Sequence, residues 1–134
     1  MAMLCTLISA SAYDFEVDGI YYNISSEANK EVSVTFKEKY RASYSGVVNI
    51  PASVSYNGDT YSVTTIGDYA FEDCSNLHSV TIPNSVTTIG KSAFEDCSNL
   101  HSVTIPNSVT TIKELAFYKC TNMCLSLIHI SEPT

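Results

Sequence analysis

The sequence predicts a mostly-β solenoid of 23-residue coils with an N-terminal β-hairpin cap. Two observations carry this reading. The stretch from Ala70 to Ile89 recurs letter for letter from Ala93 to Ile112. Phe71, Phe94 and Phe117 stand 23 residues apart, and a third copy begins at Ala116 and fails shortly after Cys120. A fixed period in the twenties marks a repeat array in which each unit is one coil stacked on the next. One coil cannot bury its own apolar side. Stacking places identical residues over one another, about 4.8 Å apart where strands pair, so the core becomes a set of ladders.

Residues 1–12 read as the end of a truncated signal peptide. Met3 to Ile8 is apolar, and Ala10-Ser11-Ala12 is a small-x-small cleavage site, although no Lys or Arg precedes Lys30. Residues 13–46 lack the period and read as the cap. Phe15 and Val17 alternate with Glu16, Asp18-Gly19 turns the chain, and Ile20, Tyr22 and Ile24 alternate on the way back. Ser25 to Lys30 reads as a polar loop, and Val32, Val34 and Phe36 as a third strand. Seven of the nine tyrosines fall between Tyr13 and Tyr61, which leaves a tyrosine-rich binding patch as the functional alternative to a cap.

Residues 47–123 form the solenoid. Val48-x-Ile50-Pro51 matches the end of a repeat strand. Sixteen residues then separate Ile50 from Ile66, against seven from Ile82 to Ile89. The extra nine hold Asn57-Gly58 between Tyr56 and Tyr61, a hairpin extending from the first coil. Within a full coil, Leu100, Val103 and Ile105 give L-x-x-V-x-I. Val103 and Ile105 share one face of a strand, while Ser102 and Thr104 share the other. Pro106 ends the strand because it has no amide hydrogen. Asn107-Ser108 turns, and Val109 and Ile112 start the return side. Gly90 at the coil corner is expected to allow a bend that other residues resist, a freedom lost at Lys113 in the next copy.

Residues 124–134 do not continue the repeat. Ile128 lies 23 residues after Ile105, but His129 stands where the proline is expected. The tail resembles translated sequencing-adaptor read-through and is read as not native; a divergent last strand is the alternative. In either case the last coil lacks a cap and leaves a bare sheet edge.

The repeat resembles the BspA-like class of bacterial leucine-rich repeats. The pattern L-x-x-V-x-I-P-x-S-V-x-x-I-G-x-x-A-F-x-x-C is met at Leu77, Val80, Ile82, Pro83, Ser85, Val86, Ile89, Gly90, Ala93, Phe94 and Cys97. The match covers residues 47–123. The resemblance implies a large secreted or cell-surface protein of a host-associated bacterium, used for adhesion and protein–protein binding. It brings no catalytic residues.

Composition narrows the function classes. With 134 residues the chain forms one modest domain. Its net charge of −7 argues against nucleic acid, which calls for a basic face. Lys30, Lys37, Lys39 and Arg41 cluster, but Glu31 and Glu38 lie among them, so the cluster reads as a solvated strand edge. No apolar run approaches the ~18 to 20 residues of a membrane helix. Cys74, Cys97 and Cys120 recur once per coil without C-x-x-C spacing, which favours core packing over a disulfide or metal framework.

The candidate binding face is the polar side of the repeat strand: His78, Ser79, Thr81, His101, Ser102 and Thr104. Two histidines are too few to hold a metal. Cys74 with His78, or Cys97 with His101, pairs a nucleophile with a base, yet the duplication in identical context argues against one assembled catalytic site. Glu72-Asp73 and Glu95-Asp96 read as solvated corners rather than a calcium loop. No catalytic residue, cofactor or metal is expected. The partner expected is a protein, such as a host surface or matrix protein, or a glycan; the alternative is a spacer with no ligand of its own.

Overall fold

The computed structural model describes residues 12–128. The signal-peptide reading therefore falls, apart from Ala12, outside the described residues, as does the tail beyond Ile128. The strands in chain order are β1 (Phe15–Val17), β2 (Ile20–Ser26), β3 (Glu31–Thr35), β4 (Gly46–Asn49), β5 (Ser53–Tyr56), β6 (Asp59–Ile66), β7 (Leu77–Thr81), β8 (Thr88–Ile89), β9 (Ser102–Pro106), β10 (Thr111–Ile112) and β11 (Cys124–Ile128). No helix occurs among the described residues.

Each coil supplies a strand to two sheets. The L-x-x-V-x-I strands build a parallel sheet in the order β11-β9-β7-β4. The return sides build a second sheet, β1-β2-β3-β6-β8-β10, with β5 alongside β6. Repeat register holds in both. Val80 stands opposite Val103 and Thr81 opposite Thr104, while Ile89 stands opposite Ile112. The core lies between the sheets, where Phe71, Leu77, Val86, Ile89, Phe94, Cys97, Leu100 and Val103 are fully buried. The Phe71 and Phe94 rings stack at 4.8 Å and 5°, and Phe94 and Phe117 at 5.2 Å and 2°. Asparagine forms a further ladder: the Asn99 amide donates to Ser75 O at 2.8 Å, and that of Asn122 to Ser98 O at 2.9 Å.

Residues 13–46 enter the return sheet as if they were an earlier coil. β3 pairs in parallel with β6, with Val32 opposite Val63 and Val34 opposite Ile66. Both hairpins turn on their two-residue loops. Asp18 and Gly19 have φ of 50° and 82°, and Asn57 and Gly58 of 49° and 83°. Positive φ at both central residues is the turn whose twist matches the strands it joins. Tyr22, Tyr44 and Tyr61 are buried. Phe15 stacks on Tyr56 at 4.1 Å, so much of the tyrosine-rich segment is aromatic core.

Several expectations are corrected. β3 ends at Thr35, which is buried, and Phe36 lies outside the strand and only half-buried. β2 runs on to Ser26, into the expected loop. The basic cluster is not a strand edge. Lys30 pairs with Asp59 at 3.1 Å, whereas Lys37, Lys39 and Arg41 lie on the exposed segment between β3 and β4. Residues 124–128 form a strand paired in parallel with β9, but Leu127, not Ile128, faces Ile105. The reason is local: from Cys120 to Leu125 is one residue shorter than from Cys97 to Val103.

The corner glycine acts differently from expectation as well. The left-handed residues of the corners are Tyr69, Asp73, Ser92, Asp96, Leu115 and Lys119 rather than Gly90. Gly90 is required by proximity. A Cβ there would stand 2.6 Å from Asp68 N and 2.7 Å from the Gly67 carbonyl carbon. Backbone cannot yield as a flexible side chain does. Gly90→Ala is therefore expected to cost about 1–3 kcal/mol through overpacking. Urea denaturation measures this, and an unchanged midpoint would contradict the close-approach account.

Candidate binding face

The polar side of β7 and β9 is rigid because the opposite side of the same strands is locked in the core. Val80 and Val103 are buried, so alternation fixes their neighbours outward. The His78 and His101 rings stack with centroids 5.9 Å apart and planes 6° apart, both exposed. Ser79 Oγ and Ser102 Oγ lie 3.4 Å apart, within hydrogen-bond reach. Thr81 and Thr104 stand in register beside them. Ser79, Thr81, Ser102 and Thr104 thus share the outward side as two-rung ladders, and the exposed, stacked His78 and His101 lie next to it in sequence.

The first rung of this surface lies on β4, where Val47 takes the Ser79 register and Asn49 the Thr81 register. Val47 is 65% exposed, so the face opens with an apolar residue. These two residues were missed in the sequence reading. The signal was present in Val48-x-Ile50, whose inward register sets the intervening positions outward. At the other end, Cys124 and Ser126 occupy the registers of Ser102 and Thr104.

The BspA type leucine rich repeat region, in six copies, matches residues 52–132, more than half of the chain. The chain belongs to this BspA-type leucine-rich-repeat family. Solved structures agree. A leucine-rich repeat protein from Bacteroides ovatus is similar at 36% identity and TM-score 0.75, over 87% of this chain and 30% of that one. A leucine rich cell surface protein from Faecalibacterium prausnitzii is similar at 28% identity and TM-score 0.69, over 84% of this chain and 31% of that one. A leucine-rich repeat protein from Bacteroides capillosus is similar at 25% identity and TM-score 0.61, over 86% of this chain and 98% of that one. The chain thus spans about a third of the first two. No curated protein matches it.

In this BspA-type repeat the candidate pairs, Cys74 with His78 and Cys97 with His101, are split between core and surface. Cys74 and Cys97 are buried, whereas His78 and His101 project to solvent. The Cys97 thiol donates to Phe71 O at 3.0 Å, and that of Cys120 to Phe94 O at 2.9 Å. The Cys97 thiol is held well above its ordinary range by its hydrogen bond to Cys120 and by burial. Burial likewise raises the Cys74 thiol. A protonated thiol bonded to a backbone carbonyl is a packed core group, since the thiolate is the nucleophile. Among the described residues, no three of His, Cys, Asp and Glu gather closely enough to hold a metal.

The acidic corner carries a stability consequence. The Glu72 carboxyl is raised above its ordinary range, first by desolvation and then by Asp73 and Glu95, and its Oε2 is buried without a hydrogen-bond partner. An acid whose folded pKa is raised opposes folding once the pH exceeds that value, and the penalty fades as pH falls to the unfolded value. Glu72→Gln is expected to raise the thermal midpoint at pH 7 and to leave it unchanged near pH 3. A lowered midpoint at pH 7 would show that the carboxylate is stabilised by a contact instead.

Proposed function

We propose that the strand face of His78, Ser79, Thr81, His101, Ser102 and Thr104 is a non-enzymatic binding surface of a secreted or cell-surface bacterial protein. Its ligand class is a host surface or matrix protein, or a glycan. The observation that supports this most is the in-register column of hydroxyl and imidazole groups on a rigid parallel sheet, continued by Val47 and Asn49. The likeness to a cell surface protein from Faecalibacterium prausnitzii supports the location. Area limits the affinity. Three repeat strands at about 4.8 Å spacing, each about 13 Å long, present on the order of 200 Å². A standard interface uses about 800 Å² per partner. Binding by this segment alone is therefore weak, and useful strength comes from longer arrays by multivalency.

The test is to insert one and two further copies of residues 93–115 and to measure retention on arrays of glycans and matrix proteins. Retention is expected to rise with coil number. It should fall by about tenfold when Ser79, Thr81, Ser102 and Thr104 become alanine together, as a loss of about 1.4 kcal/mol requires. Retention indifferent to both changes would favour the second reading, a spacer that only holds other domains away from the cell.

A further inference from the structure

The sheet that carries the binding face has a free edge at β4. Among the described residues this strand is terminal in its sheet and pairs with β7 alone. Gly46 N–H donates to Asn76 O at 2.8 Å, and Ile50 N–H donates to Thr81 O at 3.1 Å. Along a strand, backbone groups of successive residues point to opposite sides. The N–H and C=O of Val47 and Asn49 therefore point away from β7, and no partner for them occurs among the described residues. Such a row is a template for another strand.

The edge does not face open solvent. A concavity of about 440 Å³ runs beside it, bounded across by Asp18, Gly19 and Ile20 of the β1–β2 turn. Its lining is mainly polar, with Ser43, Ser45 and Asn49, and the buried Ile20 and Tyr44 add a small apolar share. Asp18 is the charged group on its border, and no lysine or arginine lines it. The Glu16 carboxylate stands close by, accepting from Gly19 N–H at 2.7 Å. A second copy of this chain is a poor occupant, because each copy brings a net charge of −7 to an acidic rim.

We propose that the β4 edge is a strand-addition site for an extended peptide segment of a partner protein that carries a lysine or arginine. The peptide backbone exchanges hydrogen bonds with Val47 and Asn49, and its basic side chain meets Asp18 across the concavity. Main-chain bonding supplies affinity in this mode, and side chains at alternate positions supply selectivity. The site is the backbone edge of β4 rather than the outward side chains of the ladders, and it goes beyond the proposed function.

The experiment uses the full chain labelled with ¹⁵N and the synthetic peptide acetyl-Thr-Val-Lys-Val-Thr-Val-Thr-amide. Titration is expected to shift the Val47 and Asn49 amide signals and slow their hydrogen exchange. Replacing the peptide lysine by glutamate should weaken binding about tenfold or more, since like charge opposes docking. Asp18→Asn should weaken the lysine peptide several-fold and leave a norleucine-substituted peptide unaffected. Asn49→Pro, which removes only an outward N–H at an edge where proline is tolerated, should weaken all peptides alike. Thr81→Ala with Thr104→Ala should leave peptide binding intact, which separates this site from the hydroxyl face. The proposal is overturned if the Val47 and Asn49 signals do not move, or if the glutamate peptide binds equally well. It is also overturned if those amides are already protected in the free chain, independently of concentration (the chain covering its own edge) or in step with it (self-association).

Discussion

Phe94→Ala is expected to lower the unfolding free energy by about 3–5 kcal/mol. Phe94 is fully buried and is stacked on both sides, on Phe71 at 4.8 Å and on Phe117 at 5.2 Å. Its removal deletes the transfer energy of a large side chain, two ring contacts worth about 0.5–1.5 kcal/mol each, and leaves a cavity. The neighbouring coils cannot collapse into that cavity. Their spacing is set by backbone bonds such as Phe71 N–H to Ala93 O and Phe94 N–H to Ala116 O, both 2.7 Å. Phe117→Ala is the informative comparison. The chemistry is the same, but Phe117 is only partly buried and has one stacked neighbour, so its loss should be well under half as large. Urea denaturation of both variants measures the difference. Equal losses would mean that the stack is not the unit of cooperation, and that the coils melt one at a time.

That comparison depends on the part of the fold the sequence made plain. A 23-residue repeat forces identical residues into register, so the buried ladders of Phe, Leu, Val, Ile and Cys are legible in the sequence itself. The two hairpin turns were legible for a local reason, since Asp-Gly and Asn-Gly tolerate the positive φ such turns require. The return sheet was harder to see. Its repeat strands are only Thr88–Ile89 and Thr111–Ile112, too short for a period-two pattern to register. The corners hid for another reason. Their left-handed positions hold Tyr69, Ser92 and Leu115 in successive coils, residues with no shared turn preference, and stacking holds the conformation instead. The outward serine and threonine positions followed from alternation, whereas the exposed His78 and His101 share the parity of the buried Val80 and Val103 and did not. Val47 and Asn49 obey the same alternation around Val48 and Ile50, but the nine-residue insertion after β4 breaks the 23-residue spacing that would align them with Ser79 and Thr81. The open edge and its concavity arise from the hairpin turn at Asp18 approaching a strand some thirty residues away. No local pattern encodes that approach.

Tyr44 was invisible for the same reason, and its loss should rank with that of Phe94. It precedes β4 in an irregular stretch, yet it is buried and joins the N-terminal strands to the solenoid. Its ring lies 4.5 Å from Phe71, extending the phenylalanine ladder by one rung, and 5.8 Å from Tyr21. Its hydroxyl accepts from Tyr21 N–H at 3.0 Å and donates to Thr35 O. Tyr44→Ala removes ring and hydroxyl together and is expected to cost about 3–5 kcal/mol. Tyr44→Phe keeps the ring but leaves the Tyr21 amide and the Thr35 carbonyl without their partner, for about 1–3 kcal/mol. Alkaline pH separates the two contributions. Burial holds the Tyr44 hydroxyl far above the usual tyrosine range, and burial, with help from Asp18, pushes Tyr22 up to about 12. An unfolded tyrosine ionises near pH 10. Below that pH the two contributions are complete. Above it the unfolded chain sheds protons that the folded chain retains, so stability falls by about 1.4 kcal/mol per pH unit for each such tyrosine. The Tyr22 contribution is exhausted near pH 12, while that of Tyr44 continues to fall. Urea midpoints measured between pH 8 and pH 11.5 should drop steeply in the native chain and by about one tyrosine less in Tyr44→Phe. The difference between the two chains cancels the lysines that titrate in the same range. Parallel slopes would mean that the Tyr44 hydroxyl is already in contact with water, and that the N-terminal strands are held to the solenoid by their sheet pairing alone.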